Sequence, residues 1–170
     1  RTFDYTFDHA MSPTVSVEQT RAATAHAFYT TSFLHDFFYD YGFDEHAGNA
    51  QMTNFGRGGV GGDRLEVATQ HHALDGRSLA MIPPDGQTPR LSFGVYGAGT
   101  ATARDAAVDA TIVSHEWGHL LSERLVGDAL GLANAQGRAI GEGTSDFIAM
   151  LALVRDEDRN HPGNHIYQGI

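Results

Sequence analysis

The chain has 170 residues, a formal net charge of −10 and no cysteine, which argues against nucleic acid or an anionic membrane surface as partner and excludes disulfides and thiol chemistry. With 41% hydrophobic and 19% charged residues it has a globular composition, long enough to close one core, and no apolar run reaches the length of a bilayer span. All eleven basic residues are arginine, which excludes lysine Schiff-base and lysine-nucleophile mechanisms, while ten histidines raise the prospect of imidazole or metal chemistry.

Residues 1–13 carry alternating aromatics (Phe3, Tyr5, Phe7) and read as an extended lead-in or strand. No basic stretch followed by an apolar one opens the chain, so any export signal is expected to have been removed. Ser16 with Gln19 three residues later resembles a capping box. From there to Tyr41 apolar residues recur at helical spacing, and Gly42 closes the helix. The aromatics Phe28, Phe33, Phe37, Phe38 and Tyr41 are expected in the core. Residues 48–96 change character. Short strand-like runs at 51–55, 65–69 and 91–96 are separated by turn chemistry at 56–63 and at Pro83-Pro84-Asp85-Gly86, which predicts a small, largely hairpin-built sheet. The glycines of 58–62 lack the Lys-Ser/Thr of a phosphate-binding loop. The helical period returns over 105–126, closed by Gly127, and again from about residue 140 to 154. Pro162 and Gly163 and Gly169 suggest an extended end. The order helix, meander, helix, helix predicts an α+β fold of one domain over residues 1–170, with helices packed on a small mixed or antiparallel sheet.

Inside the first late helix lies His115-Glu116-Trp117-Gly118-His119. Residues at i and i+4 share a helix face, so both imidazoles can point at one metal ion, with Glu116 beside them in reach of its water. At this composition an H-E-x-x-H is expected by chance only about 0.02 times, so the motif is specific. A catalytic zinc takes a third protein ligand and keeps one position open. Glu142, twenty-three residues after His119, is the candidate. Alone it reads as a helix N-terminal acid complementing the dipole; behind the His pair it reads as a ligand. Asp146, one turn on, is placed to accept the far ring N–H of a ligating histidine. Other polar clusters have plainer readings. His71-His72 could hold a second metal but fits a solvated strand end better. His161 and His165 fit loop residues. Asp36, Asp40, Asp44 and Glu45 could hold calcium, although a solvated acidic helix end fits them better.

These motifs resemble the thermolysin-type zinc peptidases and, more closely, the fungalysin family of secreted metalloendopeptidases. The likeness is carried by His35-Asp36-Phe37-Phe38-Tyr39-Asp40-Tyr41-Gly42-Phe43-Asp44-Glu45, Ala47-Gly48-Asn49, Gly59-Val60-Gly61-Gly62-Asp63 and Pro83-Pro84-Asp85-Gly86. It continues through Val113-Ser114 and the His115 motif, Leu121-Ser122-Glu123-Arg124-Leu125, and Gly141-Glu142-Gly143 to Asp146-Phe147. The resemblance implies a zincin-like N-terminal subdomain, zinc held by His115, His119 and Glu142, and Glu116 as general base in peptide hydrolysis. It also implies an extracellular location, a protein or peptide substrate, and an edge strand that pairs with the substrate backbone, here near Gly76-Arg77-Ser78-Leu79. The family's Trp after Glu-Gly is Thr144 in this chain. Family members continue into a helical second half that carries the other cleft wall and an oxyanion-stabilising His, for which this chain has no evident counterpart. An apolar face beside the zinc, covered by a second polypeptide, is therefore expected. Two further readings keep the same residues: a non-catalytic zinc-containing module, and one chain of a processed enzyme active only with its second half.

Overall fold

The computed structural model describes residues 3–74 and 76–160, so His161 and His165 and the expected extended end lie outside the described residues. The elements are α1 (Val17–Asp40), β1 (Glu66–Ala68), β2 (Ser78–Met81), β3 (Arg90–Phe93), β4 (Val95–Tyr96), β5 (Arg104–Asp105), α2 (Ala110–Leu125) and α3 (Ala135–Leu153), with 3₁₀ turns at Glu45–Ala47, Ala106–Val108 and Asp156–Asn160. The α+β expectation holds. No helix of the described residues is long and apolar enough to cross a membrane.

The described residues of the lead-in, 3–13, are irregular and form no strand. Ser16 caps α1 through its Oγ, which accepts from the Gln19 amide at 3.3 Å. The Gln19 side chain does not complete a capping box. It clamps the lead-in instead, donating to Asp8 O and accepting from Asp8 N, both at 2.8 Å. The buried face of α1 is Ala22, Ala23, Ala27, Thr30, Thr31 and Leu34. Most of the expected aromatic core is on the other side: Phe28, Phe33 and Tyr41 are exposed. Small residues let α1 lie close against α2 and the 106–108 turn, where His26 Nδ1 meets Ala107 O at 2.8 Å. Only the end of the stripe is aromatic, Phe38 stacking on Trp117 at 5.1 Å.

The sheet is mixed, in the order β1-β3-β2. β1 runs parallel to β3 (Val67 opposite Leu91) and β2 antiparallel to it (Ala80 opposite Leu91). The hairpin expectation therefore fails for β1, whose parallel pairing needs a crossover. Residues 51–55 are not a strand. Their backbone bonds are taken inside a loop, Gly62 N donating to Gln51 O at 3.0 Å and Gln51 N to the Asp63 carboxylate at 3.2 Å. The run 91–96 is split at Gly94, where a Cβ would stand 2.0 Å from Leu74 O. The remaining pair, β4 with β5, is antiparallel.

α2 starts later than the periodicity predicts. Asp105 is spent on β5 and on capping the 106–108 turn, and Asp109 caps α2 by accepting from Thr111 N at 2.9 Å. α3 starts earlier, at Ala135, with the Asn134 side chain accepting from Gly137 N at 2.8 Å. α2 is the centre of the core: Val113, Trp117, Leu120 and Leu121 are buried against Leu34, Phe43, Leu91, Phe93 and Ile148. α3 is covered on one side only. Ile148 is buried, whereas Ile140, Phe147, Met150, Leu151 and Leu153 are exposed, as the sequence predicts for a face this sheet cannot reach.

Candidate metal centre

α2 and α3 pack at unusually short range where Gly118 faces Ser145. A Cβ on Gly118 would lie 2.8 Å from Ser145 Cα. That approach brings the faces bearing His115, His119 and Glu142 together. His115 Nε2 lies 3.2 Å from Glu142 Oε2, and His119 Nε2 lies 3.6 Å from the same oxygen. Among the described residues, these three form the only group of candidate ligands with atoms mutually within 4.8 Å. A tetrahedral ion at ~2.0–2.1 Å from its ligands places them ~3.3 Å apart, which the two measured separations bracket. Glu142 stands two turns inside α3, so its reading as a helix N-terminal acid does not apply.

Both rings direct Nε2 inward, which leaves each Nδ1 facing out. His115 Nδ1 is hydrogen-bonded to Asp146 Oδ1 at 2.7 Å, the placement that the one-turn spacing from Glu142 predicts. Glu116 is 8% exposed, and the Ala80 amide of β2 favours its ionised form. Burial pushes its carboxyl pKa up from the ordinary value, with His119 and His115 pulling the other way. For His119, burial of the ring disfavours the cation, but the neighbouring carboxylates of Glu123, Glu142 and Glu116 outweigh it and raise the pKa. A divalent cation between the rings would reverse the local balance and hold the carboxylates ionised.

A cavity of about 240 Å³ opens over this group, lined also by Ser78, Leu79, Ala80, Leu132 and Arg138. The cavity is flanked by β2, which pairs with β3 on one edge only. The edge strand is thus Ser78–Met81, two residues further along than the resemblance suggests. A larger groove of about 410 Å³ runs between α1, β1 and α2 past Thr31, Val67 and Trp117, but it holds no cluster of candidate ligands.

Three residues near the centre escape the sequence reading: Glu123, Arg138 and Ala80. Glu123 and Arg138 were legible by the one-turn rule applied from His119 and Glu142, whereas Ala80 depends on the β2–β3 register. The remaining candidates do not join the centre. His71 and His72 stack on each other at 5.7 Å. Three of the four acids considered for calcium are engaged separately. Asp36 pairs with His35 at 3.0 Å, Asp44 caps the 45–47 turn, and buried Glu45 is bonded to Tyr39, Gln51 and Arg57.

The fungalysin metallopeptidase family profile matches residues 1–167. The chain belongs to this family. Among its relatives, an extracellular metalloproteinase of Pyricularia oryzae is 36% identical over 159 residues, covering 92% of this chain and 25% of that protein. Extracellular metalloproteinase 4 of Trichophyton tonsurans is 39% identical, covering 92% and 24%, and that of Trichophyton soudanense is 36% identical, covering 92% and 40%. The chain thus spans about a quarter of the length of the first two relatives. Membership of a metallopeptidase family implies a metal, and the nitrogen and oxygen donors of this fungalysin chain form a set that fits one.

Proposed function

We propose that this chain is the metal-bearing part of a zinc-dependent endopeptidase that acts outside the cell, within a longer polypeptide. The observation that carries the reading is the spacing of His115, His119 and Glu142, two imidazole nitrogens and a carboxylate oxygen at tetrahedral separations, a donor set suited to zinc. Zinc held there would supply Lewis acidity, polarising the scissile carbonyl and acidifying water. Glu116 takes the proton from the attacking water and delivers it to the leaving amine. Its burial favours accepting that proton, and the Ala80 amide favours the ionised form it starts from. Asp146 fixes the tautomer of His115. The open edge of β2 pairs with an extended substrate, its amides and carbonyls making the ladder bonds. The names of the relatives support both the reaction class and the extracellular location.

The exposed apolar side of α3 fits coverage by a further part of the polypeptide, and the share of the relatives' length that the chain spans supports this. On this reading that part closes the cleft and brings the oxyanion donor, so the segment of 170 residues by itself turns over little or no peptide. The test is the full-length protein with Glu116→Gln. Stoichiometric zinc by elemental analysis, together with hydrolysis reduced ~10²–10⁴-fold, is expected. Wild-type rates in that variant would refute the base assignment. Zinc binding without any peptidase activity in the wild type would favour a non-catalytic module.

A further inference from the structure

The inward aim of the two Nε2 atoms leaves each ring needing an acceptor behind it. A ligating imidazole is held in its tautomer and orientation by whatever accepts its other N–H. Asp146 of α3 does this for His115 at 2.7 Å. The corresponding nitrogen of His119 has no such partner on α3. The residue opposite is Gly141, which is buried and offers no side chain; a Cβ there would stand 3.9 Å from His119 Nδ1. The nearest carboxylate comes instead from α2 itself, where Glu123 Oε1 lies 3.5 Å from His119 Nδ1, one turn along the helix. The pair is sheltered, with side-chain exposures of 12% for His119 and 29% for Glu123. Among the described residues, the Glu123 carboxylate has no other hydrogen-bond or ion-pair partner.

We propose that Glu123 is a positioning residue for the metal centre: its carboxylate accepts the Nδ1–H of His119, fixes the tautomer and aims Nε2 at the ion. The centre is then braced from both helices, by Asp146 of α3 behind His115 and by Glu123 of α2 behind His119. Contraction of the 3.5 Å contact on metal binding would strengthen the brace, because a coordinated ring is a better N–H donor. The proposal rests on the reading of His115, His119 and Glu142 as a zinc site. Its rival is an ordinary i, i+4 pair on a helix surface, which would support the helix and leave the metal indifferent.

The experiment uses the full-length protein, stripped of metal and titrated with zinc against a chelating dye, as wild type, Glu123→Ala and Glu123→Gln. The thermal midpoint of each metal-free form is measured alongside. The expected result is a zinc Kd raised ~10–100-fold by Glu123→Ala, a much smaller rise with Glu123→Gln, whose amide oxygen still accepts the N–H, and metal-free midpoints that stay together. Unchanged zinc affinity in Glu123→Ala overturns the proposal. So does an equal loss in both variants that follows the metal-free midpoint, since that marks helix support alone. A wild-type protein that takes up no zinc would instead overturn the underlying metal reading, a separate and recognisable failure.

Discussion

Arg124→Met should be among the most damaging substitutions outside the candidate metal centre. The guanidinium is fully buried near the end of α2. Its Nη1 donates to Asp63 Oδ2 at 3.0 Å, to Asp85 Oδ1 at 3.1 Å and to Gly48 O at 3.0 Å, while Nη2 donates to Gln87 O at 2.9 Å. One side chain therefore ties the 48–63 loop and the 84–87 turn to the helix that carries His115, Glu116 and His119. Asp63 is equally buried, and without the arginine it keeps only the amides of Gln51 and Gly86 at 3.2 and 3.3 Å. Methionine preserves much of the stem volume, so the loss is electrostatic and hydrogen-bonded instead of steric. Removing one partner of a buried pair costs ~3–5 kcal/mol. A factor of ten corresponds to about 1.4 kcal/mol, so hydrogen exchange at α2 amides that open with this unit should accelerate on the order of 10²- to 10⁴-fold. Mass-spectrometric exchange on the full-length protein reads this at peptides covering residues 110–125. Asp85→Asn is the internal comparison: that side chain is 20% exposed, so its loss should be nearer the ~1 kcal/mol of a solvated pair. An Arg124→Met protein whose α2 exchange rises less than tenfold, or no more than in Asp85→Asn, would show that the cluster does not anchor the helix.

Gly118→Ala should both destabilise the protein, by ~1–3 kcal/mol of overpacking, and weaken zinc binding, because the added methyl meets the Ser145 backbone and drives Glu142 away from the histidines. Retained zinc affinity in a folded, destabilised variant would show that this contact does not set the ligand spacing. Glu45 should give an acid-sensitive contribution to stability. Burial pushes its pKa up, but hydrogen bonds from its own backbone amide, Gln51, Tyr39 and Arg57 outweigh this and hold it at about 2 against an ordinary 4.5. A depressed folded value means the contribution is complete above about 4.5 and is lost as pH falls toward about 2. The stability gap between wild type and Glu45→Gln should close over that window, and a gap independent of pH would contradict the assignment.

The helices were legible because their signals are local. Ser16 and the 3.6-residue period place α1, and the H-E-x-x-H face places α2. The errors arise where tertiary contact redirects a local cue. Gly137 and Gly141 look like loop residues, and they hid the first turns of α3. In the fold they serve close approach: a Cβ on Gly137 would lie 2.7 Å from Leu132 Cα, and Gly141 sits beside His119. The stripe Ala23, Ala27, Leu34, Phe38 has helical spacing too, but the bulkier aromatics of α1 mask it. β2 is four residues long, with Ser-Leu-Ala-Met carrying no strong strand preference. It exists because β3 offers it a register, and no pattern within residues 78–81 announces that.

The candidate site divides along the same line. Its chemistry is written in two short segments, each of which works through one-turn spacing: His115 with His119, and Glu142 with Asp146. Neither segment contains the distance between them. That distance depends on the α2–α3 crossing, which is close only because position 118 has no side chain and Ser145 presents its backbone there. A helix pair separated by ordinary side chains has its axes 8–10 Å apart, and a side chain at 118 would have to be accommodated by moving Glu142 with the rest of α3. Three ligand atoms within reach of one ion tolerate errors of only a few tenths of an ångström. The separations of 3.2 and 3.6 Å from Glu142 Oε2 to the two histidines are therefore as much a consequence of Gly118 as of the three candidate ligands themselves. The motif supplies the donors, and the glycine inside it, at one of the positions H-E-x-x-H leaves free, supplies the approach that lets them converge.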